Sequence, residues 1–359
     1  MPTRHLSSKI RMHGERVPIA IDLFSGCGGL TQGLKDAGFA VVAAVEIDDV
    51  AAETYGENHP EVRVWRDDIT QLCPGDVMGA LRLQPGDLDL LAGCPPCQGF
   101  SSMTTRNGAR NVNDPRNDLV LDFLVWVSAF QPKAVMMENV PGLATDVRLG
   151  LLIGELERMD YRPIWDVLNA GDYGVPQRRR RLILMGVRGY EVEFAPRDPL
   201  RRTVRDAIAT LQSSGKSGDP LHDVNERRSP RVARLIRSIP ADGGSRTDLS
   251  KRSQLKCHKK CDGFKDVYGR MAWDDLGPTI TSGCFNPSKG RFLHPKEHRT
   301  ITLREAAALQ SFPPTYHFSL KRGKTGAAWM IGNALPPEFV RRHASQLYGC
   351  LIGQSNPME

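Results

Sequence analysis

Seven short apolar runs punctuate residues 19–187, and five of them stop abruptly at a glycine, a cysteine or an acid. Ile19 to Phe24 runs into Ser25-Gly26-Cys27-Gly28-Gly29, Phe39 to Val45 into Glu46, and Val62 to Trp65 into Asp67-Asp68. Leu88 to Leu91 leads to Gly93-Cys94-Pro95-Pro96-Cys97, and Ala134 to Met137 leads to Glu138. Runs this short, bounded by turn residues, read as buried strands. Leu30, Leu34 and Ala37 follow the first run at helical spacing, and Leu119 to Phe130 reads as a helix apolar on most sides. Tyr161 to Leu168 and Leu182 to Val187 supply further strands. Strands alternating with helices predict an α/β fold, a mostly parallel sheet covered on both faces. Ligands of such sheets gather outside the carboxyl ends of the strands, where every polar residue just named falls.

After about Tyr190 this rhythm fails. Gly, Pro, Ser and Arg become frequent, and 213–220 reads as loop. A helix returns at Thr302 to Ser311, and another begins near Pro336 or Pro337, in a first-turn position, and runs to Leu351. The pattern predicts a catalytic domain over 15–190 plus 325–359 and a smaller, irregular domain over 191–324. Net charge is +7, yet Arg178 to Arg270 holds 23 Lys and Arg against 11 Asp and Glu, leaving the remainder at about −5. A basic block in an otherwise acidic chain points to a polyanion partner or to a solvated basic face. No run approaches the ~20 apolar residues of a membrane span. The first residues have no apolar core of a secretory signal, and eight cysteines in 359 residues are too few for a disulfide scaffold. The expected setting is the cytoplasm, with the protein bound at the nucleoid.

The turn after the first strand suits close backbone approach to a ligand at a helix N-terminus. Glu46, about 20 residues beyond it, stands where an acid accepts from ribose hydroxyls. Asp68 has the same relation to an adenine amino group. NAD and S-adenosylmethionine both satisfy this pattern. Cys94 and Cys97 admit four readings: buried packing, half of a zinc site completed by Cys257, His258 and Cys261, a redox pair, or a nucleophile on a rigid proline loop.

The runs DLFSGCGG, VEID, GCPPCQGFS, MMENVPG, QRRRR, TLREAAALQSFP and IGNALPP resemble, in order and spacing, the DNA (cytosine-5)-methyltransferases. The resemblance covers Ile19 to about Val340 and weakens between Lys216 and Arg270, where members differ to recognise different sequences. It implies a Rossmann-like methyltransferase sheet and a target-recognition domain, with duplex DNA as partner. It also implies the bacterial restriction-modification type, a monomer paired with a cognate endonuclease. The methyl donor it implies is S-adenosyl-L-methionine, and no metal is needed.

By this resemblance Cys97 is the nucleophile that adds to carbon 6 of cytosine, and Cys94 is not. Glu138 holds ring nitrogen 3, Arg181 contacts the carbonyl, and Arg179 steadies the loop or a phosphate. If 178–181 continued a strand, Arg179 and Arg181 would share one face. Asn139 holds the loop rather than the base. Phe24, Gly26, Gly28, Glu46, Ile47, Asp68, Pro95, Leu119 and Asn333 form the cofactor pocket. Met330 departs from the family, which often has glutamine before IGN.

Modifying a base in duplex DNA requires rotating it out of the stack, so a second domain must hold the opened helix. Arg227, Arg228, Arg231, Arg234 and Arg237 recur at helical spacing and suit phosphates or solvent. Two rivals remain. A tRNA methyltransferase of the same fold would carry a Cys-Phe-Thr triplet, where this chain has Cys284-Phe285-Asn286. A catalytically silent DNA-binding relative would have no reason to keep Cys97, Glu138 and Arg181 together.

Overall fold

The computed structural model describes residues 11–12, 15–96, 118–223, 227–250, 254 and 266–353. These fall into two compact units. The first comprises Met1–Asn169, Arg180–Arg197 and Leu335–Glu359; the second comprises Ala170–Arg179 and Asp198–Ala334. Residues 170–179 and 325–334 thus join the second unit, not the catalytic domain expected from sequence. Side-chain bonds explain the shift. Gln177 donates to the Leu309 carbonyl, and Arg179 donates to the Ile280, Gly332 and Ala334 carbonyls, all within that unit.

The first unit is built on a seven-stranded sheet. Its strands are β1 (Ile19–Leu23), β2 (Ala40–Val45), β3 (Arg63–Trp65), β4 (Leu90–Gly93), β5 (Ala134–Asn139), β6 (Ile164–Asn169) and β7 (Arg180–Val187). They lie in the order β3-β2-β1-β4-β5-β7-β6, a doubly wound arrangement in which only β7 runs against its neighbours. Every strand read from the sequence is present, with ends shifted by a few residues.

Period-two alternation sorts the strand side chains. Ile19, Ile21, Leu23, Val135, Met137, Leu182 and Leu184 pack with Phe123, Trp126 and Phe130 into one dry core. The last three lie on the helix Leu119–Phe130, whose span matches the expectation, and Trp126 stacks on Phe130 at 5.6 Å. Each such aromatic contributes about 2–3 kcal/mol of transfer free energy when fully buried. The opposite face carries the helix Gly29–Asp36 packed on the C-terminal helix Pro337–Gly353. A Cβ on Gly33 would come within 2.4 Å of the Pro337 carbonyl, so the two helices touch backbone to backbone there.

The second unit has short helices and irregular chain. Its helix Pro230–Ser238 begins at the Ser229 cap, so Arg227 and Arg228 precede it. The predicted helix at Thr302 resolves into Leu303–Leu309, with Thr302 and Glu305 closing a capping box. With no sheet among the described residues of this unit, buried polar side chains organise the backbone. Arg270, 0% exposed, donates to the carbonyls of Ile236, Ile239, Pro240, His294 and Glu297. Three of those acceptors lie at the C-terminal end of Pro230–Ser238 or just beyond, where carbonyls lack intrahelical donors.

Candidate active site

Strand order alone gathers the sequence-predicted residues of the first unit. Leu23 pairs with Val45 on one side and Gly93 on the other, and Val45 pairs with Trp65. The segments that follow these strands, 24–28, 46–48, 66–68 and 94–96, therefore leave one edge side by side. Glu138 lies near the end of β5 on that edge. β7 runs the other way, so its amino end brings Arg181 there too: Ile183 is registered against Glu138, and Arg181 stands two residues earlier. The reversed strand delivers a cation to an edge otherwise lined by carboxyl ends.

Arg181 Nε lies 2.7 Å from Glu138 Oε1, with the two side chains 17% and 13% exposed. The Cys94 thiol also hydrogen-bonds Glu138. Burial, followed by the charges of Glu138 and Asp22, pushes that thiol well above its ordinary range, so Cys94 stays protonated and a poor nucleophile. Asn139, 2% exposed, donates from Nδ2 to the Pro95 carbonyl at 3.1 Å and accepts the Val140 N–H. It ties β5 to the proline loop, as expected. Cys97, which that loop carries, lies outside the described residues, as do Cys257, His258 and Cys261.

The glycine turn is shaped for close approach. Phe24, Gly26 and Gly28 all have positive φ (58°, 55° and 93°), and a Cβ built on Gly26 would meet nothing within 4 Å. Glu46, 9% exposed, accepts the Gly26 N–H on one oxygen (2.7 Å) and the Asp48 N–H on the other (2.8 Å). Burial pushes its carboxyl up, while these two bonds act in the opposite sense. Asp68 is exposed and caps its own turn through Thr70. Ile47 is 65% exposed beside these acids, an apolar side chain left in water unless a ligand covers it. Leu119, half-buried, packs against the core, and Pro95 is buried. Open space before a glycine, a carboxylate beside it and a bare isoleucine next in sequence fit a nucleoside carrying an amino-acid tail.

Two expected residues belong to the second unit. Arg179 is 1% exposed in the second unit, where its guanidinium holds backbone carbonyls, which favours loop support over a phosphate. The strand begins at Arg180, while Gln177 bridges Gly277 and Arg178 bonds it. Asn333 is exposed at the end of the helix Gly323–Asn333, also in the second unit. Sequence reading missed Asp22, fully buried on β1, which accepts from Thr31 while Thr31 meets Tyr55. Its signal was an acid inside the apolar run Ile19–Leu23. Burial raises its carboxyl to about 7.

A sheet of this order, with a glycine turn and acids at its carboxyl edge, is the frame of an enzyme that binds a nucleoside cofactor. Comparison with known proteins sharpens the class. Residues 19–349 match the model of the C-5 cytosine-specific DNA methylase family, and the chain belongs to that family. It is 35% identical to the Type II methylase M.HgiDII of Herpetosiphon aurantiacus, over 94% of this chain and 97% of that one. It is 30% identical to the Type II methyltransferase M.DdeI of Desulfomicrobium norvegicum, over 91% and 88%. Among solved structures, a prophage-encoded E. coli protein superposes with a TM-score of 0.68 at 27% identity, covering 93% of this chain and 99% of that one. The S. pombe Dnmt2 methyltransferase shares the fold at 20% identity, with a TM-score of 0.60, covering 95% and 100%. The protein is a DNA cytosine-5 methyltransferase that uses S-adenosylmethionine. Among the described residues no helix is long and apolar enough to cross a membrane.

Proposed function

We propose that this enzyme is the modification methyltransferase of a type II restriction-modification system. It methylates carbon 5 of a cytosine flipped out of one specific duplex sequence, through a covalent Cys97 adduct. The single observation that carries the catalytic assignment is the Glu138–Arg181 pair, beside a proline loop anchored by Asn139.

The chemistry follows from those groups. Cys97, as thiolate, adds to carbon 6 of the ring, which makes carbon 5 nucleophilic. The added electron density falls on ring nitrogen 3 and the carbonyl. Glu138 holds the first and Arg181 the second, already fixed against each other before any base enters. Phe24, Gly26, Gly28, Glu46, Ile47, Asp68, Pro95 and Leu119 hold S-adenosylmethionine, with Asn333 as a further contact. That cofactor supplies the electrophilic methyl group that carbon 5 takes. The carbon 5 proton then leaves, and the Cys97 sulfur is expelled as the ring double bond returns. Arg179 acts by supporting the loops around it.

Residues 191–324 serve target recognition, with 216–270 setting the sequence read. The enzyme acts as a monomer at the nucleoid, and a cognate endonuclease cuts the same site when it is unmodified. The type II names of the relatives support this setting over the tRNA alternative. Bisulfite sequencing of plasmid recovered after expression tests the proposal. One short motif should be protected from conversion wherever it occurs. Methylation of tRNA with none of the plasmid would overturn it.

A further inference from the structure

We infer that the helix Pro230–Ser238 is a phosphate-contacting rail that positions duplex DNA independently of its sequence, an assignment that rests on the DNA methyltransferase reading above. Arg231, Arg234 and Arg237 recur every three residues along this helix, and all three are exposed. Positions three apart share a face, so the guanidinium groups form one stripe about 9 Å long from first to last. Arg227, also exposed, extends the same charge ahead of the cap. Among the described residues, none of these four side chains has an ion pair or a hydrogen-bond acceptor.

Many arginines of this molecule are instead answered by an acid. In the same unit Arg178, Arg205, Arg291, Arg299 and Arg304 each face a carboxylate. On the C-terminal helix, Glu338 answers both Arg341 and Arg342. The helix 230–238 contains no acid at all. Three like charges on one face repel one another, and nothing in the sequence of the helix relieves them. A dense external anion does, and duplex DNA carries one charge per ~1.7 Å of axis.

The helix is also mounted as a rigid support. Leu235, Ile236 and Ile239 bury its other side against Tyr268 and Leu293. Arg270 locks its C-terminal end from beneath. The basic stripe therefore faces outward on a fixed frame. A neighbouring cleft of about 410 Å³ makes the contrast. Two of its cations are committed internally, Arg228 to the Phe285 carbonyl and Thr300, and Arg299 to Glu297 and Glu305, whereas Arg227, which also lines it, is not.

The test measures duplex binding by the full-length enzyme from 50 to 300 mM salt. One duplex carries the site found by bisulfite sequencing and one lacks it. The triple variant Arg231→Gln, Arg234→Gln, Arg237→Gln should bind both duplexes on the order of 10²-fold more weakly at 0.15 M salt. Its log–log salt slope should be shallower by about 2–3, near 0.9 for each lost phosphate contact. Thermal melting checks that it folds. The triple Arg→Lys variant, which keeps the charge but not the planar fork, should retain most of the slope. An unchanged slope in the Gln variant would overturn the inference. So would loss confined to the cognate duplex, which would make the helix a base reader. Failure of the wild-type enzyme to methylate plasmid would instead remove the reading beneath it.

Discussion

The two units of this enzyme hold their chain together by different means. In the first, a mostly parallel sheet satisfies the backbone, and aliphatic and aromatic side chains do the packing around it. In the second, few backbone groups meet in ladders, and long polar side chains reach in to bond them. Gln177, Arg179, Gln310 and Arg270 together engage carbonyls of segments far apart in sequence. Buried backbone groups must be paired by something, and here a guanidinium does what a neighbouring strand does in the sheet. The difference has a use. A sheet fixes the reacting groups to one edge. A loop-rich unit pinned at a few polar points leaves its outer segments open to vary, as expected of 216–270.

That contrast can be broken experimentally. The largest effect is expected for Arg270→Met, which strips five carbonyls of their donor and should cost about 3–5 kcal/mol. Hydrogen exchange should show protection lost around 230–300 and kept in the strands β1 to β5. Equal loss in both units would mean that they are not separately held. Phe123→Ala should cost about 3–4 kcal/mol by opening a cavity in the sheet core, with the opposite pattern of protection.

Asp22 gives the smallest and most specific effect. Its folded-state carboxyl titrates near 7 instead of near 3.8, because burial disfavours the charged form. The protonated acid is thus favoured in the fold, and stability from this group is lost as pH rises from about 4 through 7. Asp22→Asn removes that dependence. Relative to the wild type it should gain up to a few kcal/mol between pH 4 and pH 8, read by chemical denaturation. A constant difference across that range would mean the carboxyl is ionised in the fold.

The sheet was legible because five of its strands are apolar runs with a hard polar stop. Burial selects the run, and the carboxyl edge selects the stop. For the same reason Glu46, Asp68 and Glu138 could be placed at one edge before any coordinates. The carbonyl partners of Arg179 were not legible, because they come from segments about 100 or more residues away. The Gln177–Gly277 bridge joins segments 100 residues apart, which no local pattern reports. Arg227 and Arg228 were read as helical, although Ser229-Pro230 is a cap and first-turn pair that starts the helix later. Arg270 was not legible at all. One arginine among many in a basic stretch gives no sign of being the buried one.

The central claim is that the sulfur of Cys97, not that of Cys94, bonds to the target ring. Both lie on one proline loop, and burial near Glu138 keeps the Cys94 thiol protonated. Incubating the enzyme with S-adenosylmethionine and duplex DNA carrying 5-fluorocytosine at the recognised site blocks release of the ring, because fluorine replaces the proton that must leave. Peptide mapping of the trapped complex should place the crosslink on Cys97. A crosslink through Cys94, or no crosslink with a duplex whose unfluorinated form is methylated, would contradict the account.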